Sequence, residues 1–202
     1  MSDAPARRVP WILSVWLIVA GVIGVWAAFE LTLDRIASVE HPHAALSCDF
    51  SLLVQCTANL DSWQGSVFGF PNPIIGLVAW PATIVVGAGL LARARFARWY
   101  WALFNLGVLG AFVFIIFLST QSIWAQNLHT LCPWCMLTWS VTIPTFWAVT
   151  FRNLREGVFG RARALTAIGR FGSTWIVVIV ILSYLAIAVE AQLSLDVLRY
   201  VF

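Results

Sequence analysis

Apolar and polar positions alternate along this chain in long blocks. Five apolar runs stand out: Trp11 to Leu33, Pro73 to Ala92, Trp99 to Thr120, Cys132 to Phe151 and Phe171 to Val189. A helix rising about 1.5 Å per residue crosses a ~30 Å hydrocarbon core in about 20 residues, and each run is of that order. The pattern predicts an all-α membrane protein with five transmembrane helices, forming one integral membrane domain over residues 1–202. Pro73 and Pro133 suit first helical turns, where the missing N–H is not needed. Pro81 and Pro144 fall inside predicted helices, where kinks are expected. The first run exceeds the ~7–15-residue core of a signal peptide and no small-residue cleavage site follows it, so it reads as a retained helix.

Composition removes the soluble alternatives. The chain is 61% hydrophobic and 10% charged, against roughly 45–50% and about 25% in soluble domains. Its mean hydropathy is +0.87. The formal charge of +3 does not signal nucleic acid, because the basic residues, all arginines, cluster at alternate ends of the runs. Arg7 and Arg8 precede the first run, Arg93, Arg95 and Arg98 follow the second, and Arg152, Arg155, Arg161, Arg163 and Arg170 follow the fourth. The positive-inside rule then places the N-terminus, 93–98 and 152–170 in the cytoplasm, and 34–72, 121–131 and 190–202 outside. The expected location is the inner or plasma membrane, with several passes. Trp11, Trp99, Tyr100, Trp101, Trp124 and Trp175 fall near run ends, where amphipathic rings anchor at the interface.

The candidate chemistry lies in four cysteines. Cys48 and Cys56 form a C-x7-C pair in the long 34–72 loop, and Cys132-Pro133-Trp134-Cys135 opens the fourth run. Both pairs fall on the predicted outer face, the side that tolerates disulfides, which points to electrons passed from disulfide to disulfide. A helix N-terminus carries about +0.5 of partial charge and stabilises a thiolate there. Cys132 is therefore expected to be the more exposed thiol, with Cys135 one turn deeper on the same face. Other readings remain open: a tetrathiolate zinc site, a structural Cys48–Cys56 staple, or an inert membrane scaffold.

The loop has acidic positions (Asp34, Glu40, Asp49, Asp61) and an apolar middle (Phe50, Leu52, Leu53, Val54), as expected of a segment lying on the bilayer and capping the helices. Asn72, between two prolines, is either a donor to a quinone carbonyl or an Asx-turn residue. Glu30 and Asp34 are expected at the interface, pairing with Arg35, with a proton-relay role secondary. His41, His43 and His129 read as solvated loop residues.

Taken together, Cys48-x7-Cys56, Ser62-Trp63, Phe68-Gly69-Phe70-Pro71-Asn72-Pro73 and Cys132-Pro133-Trp134-Cys135 with Trp139 resemble the vitamin K epoxide reductase family over roughly residues 10–150. The disulfide-bond protein B family has its cysteine pairs in the opposite order and is the less apt match. The resemblance implies four helices bundled around a quinone site (menaquinone or ubiquinone) and capped by the outer loop. By position, Cys48 and Cys56 resemble the shuttle pair and Cys132 and Cys135 the active-site pair. Asn72, Ser62 and Phe68 fall at quinone-site positions, and Trp139 stands where vertebrate enzymes place a tyrosine. A fifth helix with an outer tail resembles the split bacterial arrangement, in which the partner is a separate thioredoxin-fold (DsbA-like) oxidase. The implied function is reoxidation of that partner, with electrons passing to quinone; the alternative is reduction of a quinone or its epoxide by partner thiols. The outer tail and the lack of an ER-retention ending favour disulfide formation.

Overall fold

The computed structural model describes residues 10–41, 46–51, 53–125 and 127–196. Arg7, Arg8, His43, Leu52 and Arg199 lie outside the described residues. Among those described there is no strand, and the chain is built of helices: α1 (Trp11–Glu40), the short α2 (Thr57–Asp61), a 3₁₀ turn (Trp63–Ser66), α3 (Pro73–Leu91), α4 (Arg98–Trp124), α5 (Pro133–Arg155), α6 (Arg163–Thr174) and α7 (Ile176–Leu195). Four of them, α1, α3, α4 and α7, are long and apolar enough to cross a membrane.

The first helix runs beyond its apolar stretch and stops at His41, the residue before Pro42, which a following proline drives out of the helical region. Its extra turns carry Asp34 and Ser38 inward, both buried. The first and third helices make the most extensive pairing in the fold. They approach closely because glycines line the seam, as in other membrane helix pairs. A Cβ on Gly24 would lie 2.1 Å from the Trp80 ring, and one on Gly87 2.7 Å from the Ser14 carbonyl oxygen.

The fifth helix, α5, falls short of the apolarity of the other four, for a reason visible in its packing. It lies against α1, α4, α6 and α7, so its polar side chains meet protein instead of lipid. Thr142 and Thr145 are buried; their hydroxyls donate to the carbonyls of Thr138 at 2.8 Å and Val141 at 2.6 Å. Thr145 also accepts from Trp16 Nε1 at 3.0 Å. At the arginine-rich end, Asn153 is fully buried and donates to Trp101 O (3.1 Å) and Asn105 Oδ1 (3.0 Å). The Arg152 guanidinium covers the Trp101 ring at 3.6 Å. That knot fixes the register of α4 against α5.

The predicted fifth run is corrected. Phe171 belongs to α6, an amphipathic helix, and the long apolar helix begins only at Ile176 after a break at Trp175. Gly169 and Gly172 explain the break's position. A Cβ there would lie 2.4 Å from the Arg155 backbone nitrogen and 2.3 Å from the Phe151 ring, so α6 lies flush on α5 and the chain must turn before leaving it.

Candidate active site

Two backbone hydrogen bonds bring the cysteine pairs together. Val54 and Leu131 form an isolated parallel bridge, with Leu131 N–H donating to Leu53 O at 2.7 Å and Gln55 N–H to Leu131 O at 3.1 Å. The cysteines follow closely on the bridge, Cys56 two residues after Val54 and Cys132 one after Leu131. Helix α2 is tied to the same place. Asn59 Nδ2 donates to the Thr130 hydroxyl at 2.8 Å, and the Ser122 hydroxyl donates to Asn59 Oδ1 at 3.0 Å. Leu53 packs with Leu131, Ile123, Ala191 and Leu195, whereas Phe50 stays largely exposed.

Cys48 and Cys56 are joined as a disulfide, and Cys132 and Cys135 are free thiols. Cys132 Sγ lies 3.3 Å from Cys56 Sγ, within reach for exchange. Cys132 caps α5, and its sulfur accepts the Cys135 N–H at 3.3 Å. The exposure expected of the pair is inverted. Cys132 is 1% exposed because the Cys56 arm covers it, while Cys135 is only part-buried and forms part of a cavity wall. The zinc reading also meets an obstacle: Asp34, Cys48 and Cys56 present donor atoms within 4.8 Å of one another, but two of those sulfurs are bonded together and offer no thiolate.

Carboxylates flank the disulfide on both sides. Asp49 Oδ1 accepts from the N–H groups of Cys56 (2.8 Å) and Thr57 (3.2 Å), and its Oδ2 accepts from Leu46 N–H (3.2 Å) and the Thr57 hydroxyl. Burial works to raise this carboxyl, but the Thr57 hydroxyl and the three N–H groups outweigh it and hold the group below its ordinary value. A carboxyl depressed on folding contributes stability above its unfolded pKa and loses it as pH falls through the folded value. The cap is therefore expected to keep its protease resistance down to about pH 4, the ordinary aspartate value, and to loosen below it; Asp49→Asn loosens it already at neutral pH. Limited proteolysis across pH checks both. On the other side, Asp34 contacts Cys48 Sγ through Oδ2 at 3.2 Å and accepts from the Ser47 hydroxyl. The expected Asp34–Arg35 pairing is corrected: Arg35 pairs with Asp61, and Glu30 accepts from Trp26 Nε1 at 3.0 Å.

Helices α3 and α4 hardly touch, and between them, roofed by the loop, lies a cavity of about 580 Å³. Its walls are mostly apolar, with Asn59, Gln64, Asn72, Thr138, Thr142 and Cys135 among the polar contributors. Such a cavity, apolar with a few convergent polar groups, is the usual form of a small-molecule site. Of the residues singled out in the sequence, Asn72, Trp139 and Cys135 line it. Asn72 also holds the loop: its Nδ2 donates to Gln64 O at 2.6 Å and its Oδ1 accepts Val67 N–H at 3.1 Å, leaving one amide hydrogen for a ligand. Ser62 caps the 3₁₀ turn, accepting Gly65 N–H at 3.3 Å. Phe68 is exposed and packs on Phe70 and Phe114, and of these three only Phe114 reaches the cavity.

Gln64 was missed by sequence reasoning. It is 4% exposed and lines the cavity, and among the described residues its Oε1 has no donor. The cavity suits a ligand with a largely apolar body and a hydrogen-bond donor at its head. No motif marks Gln64; its burial follows from the loop folding back over the bundle. Compared with curated proteins, the chain matches none. The profile of the vitamin K epoxide reductase family, by contrast, matches residues 15–150, which span both cysteine pairs and the cavity. The chain belongs to the vitamin K epoxide reductase family, and with it to the membrane thiol–disulfide oxidoreductases.

Proposed function

We propose that this protein reoxidises a separate thioredoxin-fold oxidase and passes its electrons to a membrane quinone, so that disulfides form in extracytoplasmic proteins. In this reading α5 is the fifth span, the N-terminus is cytoplasmic, and both cysteine pairs lie on the outer side. The observation that carries it is the 3.3 Å approach of Cys132 to an intact Cys48–Cys56 disulfide, with Cys135 in the cavity wall. That arrangement corresponds to the step at which the membrane pair holds two electrons and the loop pair has already closed.

The path runs through this chain's own sulfurs. A partner thiolate attacks Cys48, and the Cys48–Cys56 bond breaks with its electron pair on Cys56. Cys56 attacks Cys132 of an oxidised Cys132–Cys135 pair and Cys135 leaves as thiolate. The partner's second thiol releases Cys48, Cys48 closes again on Cys56, and Cys132 is freed. Each step is an exchange of one sulfur–sulfur bond for another and needs an attacking thiolate with access to its target. A bound quinone supplies the two-electron sink. Asn72, Gln64 and Trp139 would hold its head, while the apolar walls from α3 and α4 exclude water.

Cys56→Ser is expected to accumulate a mixed disulfide between Cys48 and the partner, because Cys48, left as a free thiol, attacks the disulfide of oxidised partner and Cys56 is no longer there to displace it. Non-reducing electrophoresis of membranes from cells carrying the variant, with mass analysis of the adduct, reads it directly. In cells lacking the protein the thioredoxin-fold partner should stay reduced; a partner that stays oxidised there would reverse the proposed direction.

A further inference from the structure

The short path from Cys132 to the loop disulfide raises a chemical question. A thiolate at 3.3 Å from Cys56 could attack it, expel Cys48 and send electrons back toward the partner instead of onward. Exchange runs faster when the departing thiol is more acidic, so the state of the departing sulfur decides the outcome. The two sulfurs of the loop pair have very different neighbours.

Cys48 Sγ lies against the Asp34 carboxylate at 3.2 Å. Asp34 is itself buried, 7% exposed, on the last turns of α1. Its two oxygens accept from the Ser47 hydroxyl at 3.0 and 3.2 Å, and they can accept an S–H from Cys48 once the disulfide opens. Among the described residues no cation pairs with it: the nearby Arg35 is engaged with Asp61 of α2. The other charges acting on Asp34 are the carboxylates of Glu30 on α1 and Asp49 in the loop. Cys56 Sγ is also within 4.8 Å of that carboxylate but is not in contact with it; it faces Cys132 of α5, and its backbone N–H is bound to Asp49.

We propose that Asp34 gives the Cys48–Cys56 bond a polarity: its carboxylate keeps Cys48 protonated and makes Cys56 the sulfur that departs as thiolate. This rests on the relay role given above to the loop pair. A like charge in direct contact disfavours ionisation, so expulsion of Cys48, whether by the backward attack of Cys132 or on release of the partner, is slowed relative to expulsion of Cys56. A dithiol partner attacking Cys48 forms the partner–Cys48 bond, breaks Cys48–Cys56 and leaves the electron pair on Cys56, beside Cys132. The backward attack by Cys132 on Cys56 would form Cys56–Cys132 and leave the electron pair on Cys48 against the carboxylate. One side chain thereby favours entry at Cys48 and holds the electrons of the membrane pair for the cavity.

The test uses the full-length protein in detergent, fully reduced and free of quinone. Iodoacetamide alkylation of each cysteine is followed from about pH 6 to about pH 10 by peptide mass, for wild type, Asp34→Asn and Asp34→Glu. In Asp34→Asn the Cys48 midpoint should fall by at least about one pH unit, making Cys48 alkylation at pH 7 about tenfold faster, while Cys56 moves less. Asp34→Glu should stay near wild type. A Cys48 midpoint that is unchanged or raised in Asp34→Asn overturns the proposal, as does an equal shift at Cys56. A mere change in access alters the rate without moving the midpoint, and that too counts against it. Neither partner nor quinone enters the measurement, so failure of the relay reading is scored separately, by Cys48→Ser leaving partner oxidation in cells intact.

Discussion

Cys135→Ser protein is expected to lose quinone reduction by about 10³-fold or more, the scale on which removal of an attacking group acts in covalent mechanisms, and to come to rest with the Cys48–Cys56 disulfide closed and Cys132 a free thiol. The geometry gives the reason. Cys132 is sealed under the Cys56 arm and Cys135 alone of the four sulfurs lines the cavity, so no other thiol can hand electrons to a ligand there. Serine keeps the size and the backbone N–H that the Cys132 sulfur accepts, but it cannot form the bond to Cys132 that Cys56 must attack. Quinol formation followed by absorbance, together with peptide mapping of the resting disulfides, checks both halves. Quinone reduction at the normal rate in this variant would refute the electron path.

The second large effect is structural. Gly24→Ala places a carbon 2.1 Å from the Trp80 ring, and neither partner can yield easily. Trp80 is buried between α1 and the cavity, and the helix backbone on the other side is fixed by its own hydrogen bonds. Overpacking of a filled core costs about 1–3 kcal/mol, and a clash this close with a flat ring belongs at about 3 kcal/mol. The displaced indole has one way out, into the cavity, so ligand binding should fall along with stability. Thermal unfolding in detergent followed by tryptophan fluorescence measures the first effect. Adding Trp80→Leu to Gly24→Ala should recover most of the lost stability, and a double variant no better than the single one would show that the clash is not the cause.

Much of this fold is legible in residue order because membrane helices announce themselves by length. The stretches at Trp11, Pro73 and Trp99 became α1, α3 and α4 with shifts only at their ends. Apolarity could not show where α6 ends and α7 begins. Phe171 and Ile176 are equally at home in an oily run, and the break between them is imposed by Gly169 and Gly172 lying against α5. The lower apolarity of α5 is visible in sequence, but why its threonines and Asn153 are tolerated is not: neighbouring helices surround it. The site divides along a similar line. Cysteine spacing exposes the two pairs, and the proline-flanked Asn72 stands out as a turn residue. Gln64 and Asp34 have no such signature. Each is one polar residue among many, and each becomes chemical only when a distant segment lies down on it, Gln64 at the cavity roof and Asp34 beneath Cys48. The expected order of exposure at Cys132 and Cys135 failed for the same reason: helix position sets the direction of a side chain, but the arm that covers it comes from 76 residues away.

The backbone pairing of Val54 with Leu131 carries an evolutionary consequence. Contact between the two thiol pairs is registered by main-chain groups, so the side chains at 54 and 131 are free to drift among oily residues without disturbing it. Spacing has no such freedom. One residue gained or lost between the pairing and either sulfur shifts that arm by about 3.3 Å and turns its cysteine to the opposite face, which breaks the sulfur contact. Natural variants of this chain should therefore tolerate substitutions in these two short arms while rejecting insertions and deletions there.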